Sequence, residues 1–276
     1  MNPINIVFFG SFQDYSVRIL EALAKTFSVA AVVTTPPRPA GRHMQVTSTK
    51  VHQYAEKHGI TVYPIEDLSS IPKDIQRPDF IVVAGYGKLI PDVWLTFPTV
   101  MPVNMHPSLL PEYRGAFPAE WAILRGEKET GVTLVSMTPE FDKGEILAQK
   151  RLPIDPTDTR ETLYTKLYDE GAKLLIETLP HIKGGDVHPK PQPKGEYFYA
   201  KRLTREDGFV PWEEFRQKLE AKSEELDRKF RALSPWPGVW TTTPEGKRMK
   251  LVALSPNVLV QLEGGKPVLA DEATPS

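Results

Sequence analysis

The sequence predicts an α/β protein in which a doubly wound, mostly parallel sheet precedes a small β domain. Three observations lead there. Through the first half, short continuous apolar runs alternate with helical patterns, as strands do in a sheet covered on both faces. After Gly131 the pattern changes to paired β-rich runs. From Gly184 to Gly195 a stretch holding Pro189, Pro191 and Pro193 between glycines reads as a linker. The expected division is therefore a large domain over 1–183, a linker over 184–203 and a C-terminal domain over 204–276.

The elements follow in order. Ile4 to Phe9 is a strand stopped by Gly10, and Asp14 to Lys25 sets Val17, Leu20, Leu23 and Ala24 at helical spacing. Val29 to Val33 is a second strand, Lys50 to His58 a helix closed by Gly59, and Thr61 to Tyr63 a short strand. Phe80 to Ala84 is the most apolar strand, and Val100 to Met105 is another. Val132 to Ser136 and Ile146 to Leu152 resemble a hairpin joined through Pro139 to Gly144. Thr159 to Leu179 is a long amphipathic helix with Asp158 at its N-cap and Glu161 three residues on. Past the linker, Trp212 to Leu233 reads as one helix ended by Pro235-Trp-Pro-Gly238. Val239 to Thr243, Met249 to Leu254 and Val258 to Leu262 suggest an OB-like barrel or a fragment of one.

Composition excludes several chemistries. No apolar run reaches the ~18 residues that a spanning helix needs, and the first ten residues lack the pattern of a secretory signal. With no cysteine there is no disulfide, thiolate zinc site or cysteine nucleophile; this fits a cytoplasmic address. Net charge is −1, so no global field attracts nucleic acid, although residues 201–250 carry 12 basic and 9 acidic side chains. The turn Gly10-Ser-Phe-Gln has one glycine where a dinucleotide fingerprint needs three, and no Walker pattern occurs. NAD- and ATP-dependent reactions are thereby disfavoured. His43, His52, His58, His181 and His188 are scattered and read as surface residues, and no metal is implied.

The informative segment runs from Val103 to Gly115. Asn104 and His106 lie two apart at the carboxyl end of a strand, so both face the crevice where open α/β sheets bind ligands. An amide donor beside an imidazole can stabilise charge on a carbonyl oxygen that becomes tetrahedral. Asp142, in the turn before Gly144, supplies a carboxylate that could orient His106 or take a proton.

Asn104-x-His106-Pro-Ser-Leu-Leu-Pro111, Tyr113-Arg-Gly115, Glu129-Thr-Gly-Val-Thr133 and Asp142-x-Gly144 together resemble the formyltetrahydrofolate-dependent formyltransferase family, in order from Ile4 to about Leu179. Pro37-Arg-Pro-Ala-Gly-Arg42, Ala84-Gly-Tyr-Gly-x-x-Ile-Pro91, Tyr199-Ala-Lys-Arg-Leu203, Trp212 and Ser234-Pro-Trp-Pro237 are similar to the branch whose acceptor is methionyl initiator tRNA. The resemblance implies formyl transfer from 10-formyltetrahydrofolate to the free amine of that tRNA, for translation initiation, by a cytoplasmic monomer without a metal or a membrane partner. It implies Asn104, His106 and Asp142 as catalytic residues. It places Ser108, Leu109, Leu110 and Pro111 along the folate, Tyr86, Leu89, Ile90 and Glu140 at the pterin, and Arg42 near the tRNA acceptor end. Three departures stand out: a shorter loop after Arg42 without lysine, Ser-Phe-Gln-Asp in the first turn, and few residues for a five-stranded C-terminal barrel. The alternatives are a nucleotide-linked amino sugar as acceptor, glycinamide ribonucleotide, water, or a non-catalytic RNA-binding module. The sequence pI of about 6.6 counts against the last.

Overall fold

A computed structural model describes residues 3–40 and 45–273. Its contacts divide the chain into two compact units, Met1–Ala116 with Glu129–Pro153 and Tyr164–Tyr199, and Phe117–Lys128 with Ile154–Leu163 and Ala200–Ser276.

The elements of the first unit are β1 (Asn5–Phe9), α1 (Gln13–Thr26), β2 (Ser28–Thr34), β3 (Arg38–Ala40), β4 (Gln45–Thr47), α2 (Lys50–Lys57), β5 (Val62–Pro64), β6 (Phe80–Val83), α3 (Asp92–Leu95), β7 (Met101–His106) and β8 (Arg114–Gly115). The chain continues through α4 (Pro118–Arg125), β9 (Glu129–Ser136), β10 (Ile146–Pro153), α5 (Arg160–Gly184) and β11 (Tyr199–Ala200). Seven strands form one sheet in the order β10-β9-β7-β6-β1-β2-β5. Strands β5, β2, β1, β6 and β7 are parallel; β9 runs antiparallel to β7, and β10 antiparallel to β9. The order reverses at β1, where β2 lies on one side and β6 on the other, which opens a crevice at the carboxyl ends.

The strands are apolar on both faces because both faces are covered. Phe8 and Val82 are fully buried, and so are Phe9 and Val33, which project the other way. On the second face Phe9 packs edge-on against Trp94 and Tyr86, with ring centroids 5.0 and 5.3 Å away. The Trp94 indole N–H donates to the Leu68 carbonyl at 3.0 Å, so this buried donor is satisfied.

Asp79 ties the sheet edge-wise to the last turns of α5. Its Oδ2 accepts from the Asn5 backbone N–H and from Lys183 Nζ, each at 2.8 Å. Burial opposes ionisation, but the Lys183 ammonium and the Asn5 N–H outweigh it and hold the carboxyl below its ordinary range. A depressed carboxyl contributes stability above its unfolded value of about 3.9, and that contribution is lost as pH falls through the folded value. Asp79→Asn should therefore lower Tm at neutral pH by roughly 2–4 °C for each kcal/mol lost. The difference from wild type should shrink in acid, as thermal melts at several pH values would record.

The second unit holds α4, the first turn of α5 and the C-terminal elements α6 (Trp212–Glu220), α7 (Glu224–Leu233), β12 (Trp240–Thr242), β13 (Arg248–Ala253), β14 (Leu259–Leu262), β15 (Val268–Leu269) and α8 (Ala270–Ala273). Strands β12 to β15 form an antiparallel sheet in sequence order, an open fragment of the kind expected as one alternative to a barrel. Phe215, Leu226, Val239, Met249, Leu251 and Val260 form its core.

Several elements differ from the sequence reading. The single helix expected over 212–233 is two helices, because Lys222 turns to φ +47° between them. The long helix extends to Gly184 with Pro180 inside it, and its cap is Thr159 rather than Asp158, with Thr162 N–H donating to Thr159 Oγ1 at 3.2 Å. His52, expected at the surface, is buried on the inner side of α2 and pairs with Glu56 at 3.0 Å. Helix α4 and the hairpin of β3 with β4 were not anticipated.

Candidate active site

Strand β7 carries the central residues. Period two sends Val103 and Met105 into the core and sets Asn104 and His106 on the opposite side. Both lie within the strand, which runs one residue further than expected and pairs Asn104 with Val83 of β6 and Val135 of β9. Gly171 of α5 leaves room for Met105, whose sulfur would stand 2.9 Å from an added Cβ.

Asp142 reaches the same place from the turn between β9 and β10. Its backbone is left-handed at φ +54°, a conformation that Asp tolerates better than most residues. Asn104 Nδ2 donates to Oδ1 at 3.2 Å, and the Gly115 N–H donates to Oδ2 at 3.0 Å. His106 Nδ1 lies 3.5 Å from the same Oδ1, and the two side chains are 6% and 9% exposed, so the pair is screened from bulk water. His106 Nε2 is 2.9 Å from the Tyr113 carbonyl. A carbonyl can only accept, so the proton belongs on Nε2, and Nδ1 is left facing the carboxylate.

The Asp142-x-Gly144 spacing has a steric cause. A Cβ on Gly144 would stand 1.6 Å from the Ser136 carbonyl oxygen and 2.6 Å from its carbon. Backbone cannot give way as a side-chain tip can. Gly144→Ala should cost ~1–3 kcal/mol and lower Tm by at least ~2–4 °C, measured by thermal unfolding.

The loop from Pro107 to Tyr113 is fixed by one hydroxyl. Thr133 Oγ1 donates to the Ser108 carbonyl at 2.7 Å and accepts from Leu110 N–H at 3.0 Å and Gln149 Nε2 at 2.9 Å. Of the residues expected along a folate, Ser108 is fully buried with its hydroxyl donating to the Glu112 carbonyl, and Leu110 is 3% exposed. Leu109 and Pro111 are half-buried. Leu109 packs where Gly131 has no side chain, since a Cβ there would meet its Cδ2 at 2.5 Å.

The segment after β6 begins in the strand next to Asn104. Gly85, at φ +65°, is hemmed in by Phe12, Tyr168 and Ser16, and its carbonyl accepts from Ser11 N–H at 3.0 Å. Tyr86 and Ile90 are buried, while Leu89 is exposed. The Tyr86 hydroxyl finds no hydrogen-bond partner among the described residues, and burial, with the Glu66 carboxylate adding to it, pushes its pKa up to about 12. Glu140 is exposed beside the Asp142 turn and pairs with Lys143 at 2.6 Å. Arg42 lies outside the described residues. The strands on either side of it are placed, and Arg38 of β3 pairs with Glu66 at 3.1 Å, which also holds Lys88 at 2.9 Å.

Sequence reasoning missed Arg114, Thr133, Gln149 and Gln192. Arg114, Lys143 and Lys194 line an open depression of about 480 Å³ with Glu145, Gln192 and the adjoining prolines. Lys143 is paired with Glu140, which leaves Arg114 and Lys194 against Glu145, a mildly basic lining. Among the described residues no group of three or more His, Asp or Glu side chains converges as metal ligands, and no helix is long and apolar enough to cross a membrane.

This arrangement places two side-chain amide hydrogens, an imidazole and a carboxylate around one point. A carbonyl carbon held there could be attacked by an amine and its oxygen stabilised. A family described as formyl transferase matches residues 4–179, and a formyl transferase C-terminal domain matches 202–272. A methionyl-tRNA formyltransferase of Enterococcus faecalis is 38% identical over 91% of this chain and 79% of its own. One from Listeria monocytogenes is 36% identical over 98% of this chain and 85% of its own. Among solved structures, the N-formyltransferase from Helicobacter canadensis in complex with folinic acid and dTDP-3-aminofucose superposes with a TM-score of 0.64. It is 20% identical and covers 96% of this chain and 98% of its own.

Proposed function

The chain belongs to the formyl transferase family, and on that premise we propose that it transfers the formyl group of 10-formyltetrahydrofolate to the amine of methionyl initiator tRNA in the cytoplasm. The observation that carries the chemistry is the convergence of Asn104, His106 and Asp142 at the end of β7. The acceptor follows from the relatives named methionyl-tRNA formyltransferase, which match most of the chain at 36% and 38% identity.

The residues divide the work by what each atom has left to offer. Asn104 Nδ2 has two hydrogens; one holds Asp142 and the other is available to the formyl oxygen. The acceptor nitrogen must lose a proton to attack. Asp142 takes it, directly or through a water, and His106 Nδ1 is close enough to share it. Attack makes the C–N bond and puts negative charge on the formyl oxygen. Asn104 and the Nδ1-protonated His106 stabilise that oxyanion. Collapse breaks the bond to N10 of the folate; the second proton that the attacking nitrogen gives up as it becomes an amide goes to N10, tetrahydrofolate departs, and the first proton returns from Asp142 to solvent.

Folate would lie along Ser108–Pro111, with its pterin at Tyr86–Ile90 and Glu140. The buried Tyr86 hydroxyl supports a polar ligand beside it, because an unpaired buried hydroxyl is costly. Arg42 would approach the acceptor end of the tRNA, and the mildly basic lining of Arg114 and Lys194 suits an acceptor that carries phosphates. The test is an acceptor panel. Tetrahydrofolate release should require methionyl-tRNA; equal release with no acceptor would replace transfer by hydrolysis.

A further inference from the structure

We propose that Gln192 is a positioning residue that holds the Asp142 turn in its reactive geometry from the segment following α5; this rests on the formyl-transfer reading above. The geometry is specific. Gln192 Nε2 donates to the Asp142 carbonyl at 2.7 Å and to the Gly144 carbonyl at 2.8 Å. Its Oε1 accepts from Arg114 Nε at 3.1 Å and from Nη2 of the same guanidinium. All four hydrogen-bonding positions of the amide are used, two as donor and two as acceptor.

The two groups it joins are the two that control the carboxylate. Asp142 stands in a left-handed turn at φ +54°. Gly115, whose N–H donates to Asp142 Oδ2, is the residue after Arg114. Gln192 therefore grips Asp142 at its carbonyl and, through Arg114, steadies the strand that holds its carboxylate. No ion pair forms at Arg114 among the described residues; its Nε and Nη2 are committed to this neutral amide. Only an amide can satisfy both sides at once. A carboxylate at 192 would keep the arginine and repel both carbonyls, and an apolar residue would release all of them.

Misplacement of a reacting group by about 1 Å can cost ~10²-fold in rate. Gln192→Ala should lower kcat by ~10- to 100-fold with little change in KM for either substrate and with Tm close to wild type. Gln192→Glu should be no better than Ala, because what matters is donation to the turn. Hydrogen exchange reads the same link without activity: in Gln192→Ala the Gly115 amide should exchange faster, while amides in β1 and β6 keep their protection. Wild-type kcat in Gln192→Ala, full activity in Gln192→Glu, a loss that tracks the folded fraction, or unchanged Gly115 protection would each overturn the proposal. If the wild-type protein transfers no formyl group to methionyl-tRNA, the functional reading fails, and Gly115 exchange still decides the role of Gln192.

Discussion

Asp142→Asn should lower kcat by ~10²- to 10⁴-fold, the range for loss of a positioned proton acceptor. The substitution is nearly isosteric. An amide oxygen at Oδ1 or Oδ2 still accepts from Asn104 or the Gly115 N–H, which lie at 3.2 and 3.0 Å. What disappears is the ability to take a proton from the acceptor's ammonium so that the free amine can attack. The loss should therefore fall on the chemical step, with donor affinity and Tm nearly unchanged. Quench-flow measurement of product formation under single-turnover conditions separates the two. A single-turnover rate like that of wild type would remove Asp142 from proton transfer.

Asn104→Ala should cost ~10²- to 10³-fold in kcat, as loss of one oxyanion donor does. The ground-state formyl oxygen carries little charge, so KM for the donor should change much less than kcat. The variant also removes one of the two hydrogen bonds to the Asp142 carboxylate, which places part of the loss on the carboxylate's position. Asn104→Asp tests this separation. It keeps the size but sets a second carboxylate about where the amide now donates, so it should be at least as inactive as Ala. Steady-state kinetics on both variants, with donor and acceptor varied in turn, measures each effect.

What the sequence made legible was local. Continuous apolar runs marked β1, β2, β6 and β7, and period two put Asn104 and His106 on one side of their strand. Asp142 could be placed in a turn, although nothing in its spacing says that the turn folds back 38 residues to Asn104. Helix α4 is bounded by residues that suit its ends: Pro118 at its start, where a missing N–H costs nothing, and Gly126 at φ +71° just past its end. Pro180 misled, since it reads as a stop and lies inside a helix. Gln192 illustrates what pattern cannot supply. A glutamine among prolines looks like solvated linker, and its partners lie 50 and 78 residues away. The hydroxyl of Thr133 is similar, because its three bonds connect three separate segments of the chain.

The acceptor tests the account most directly. With 10-formyltetrahydrofolate held at saturation, kcat/KM should be compared for methionyl initiator tRNA and for a nucleotide-linked amino sugar such as dTDP-3-aminofucose. The account predicts a value for the tRNA at least ~10²-fold above the sugar, about 2.7 kcal/mol of transition-state preference. An equal or higher value for the sugar would contradict it and assign the Asn104–His106–Asp142 site to a different amine.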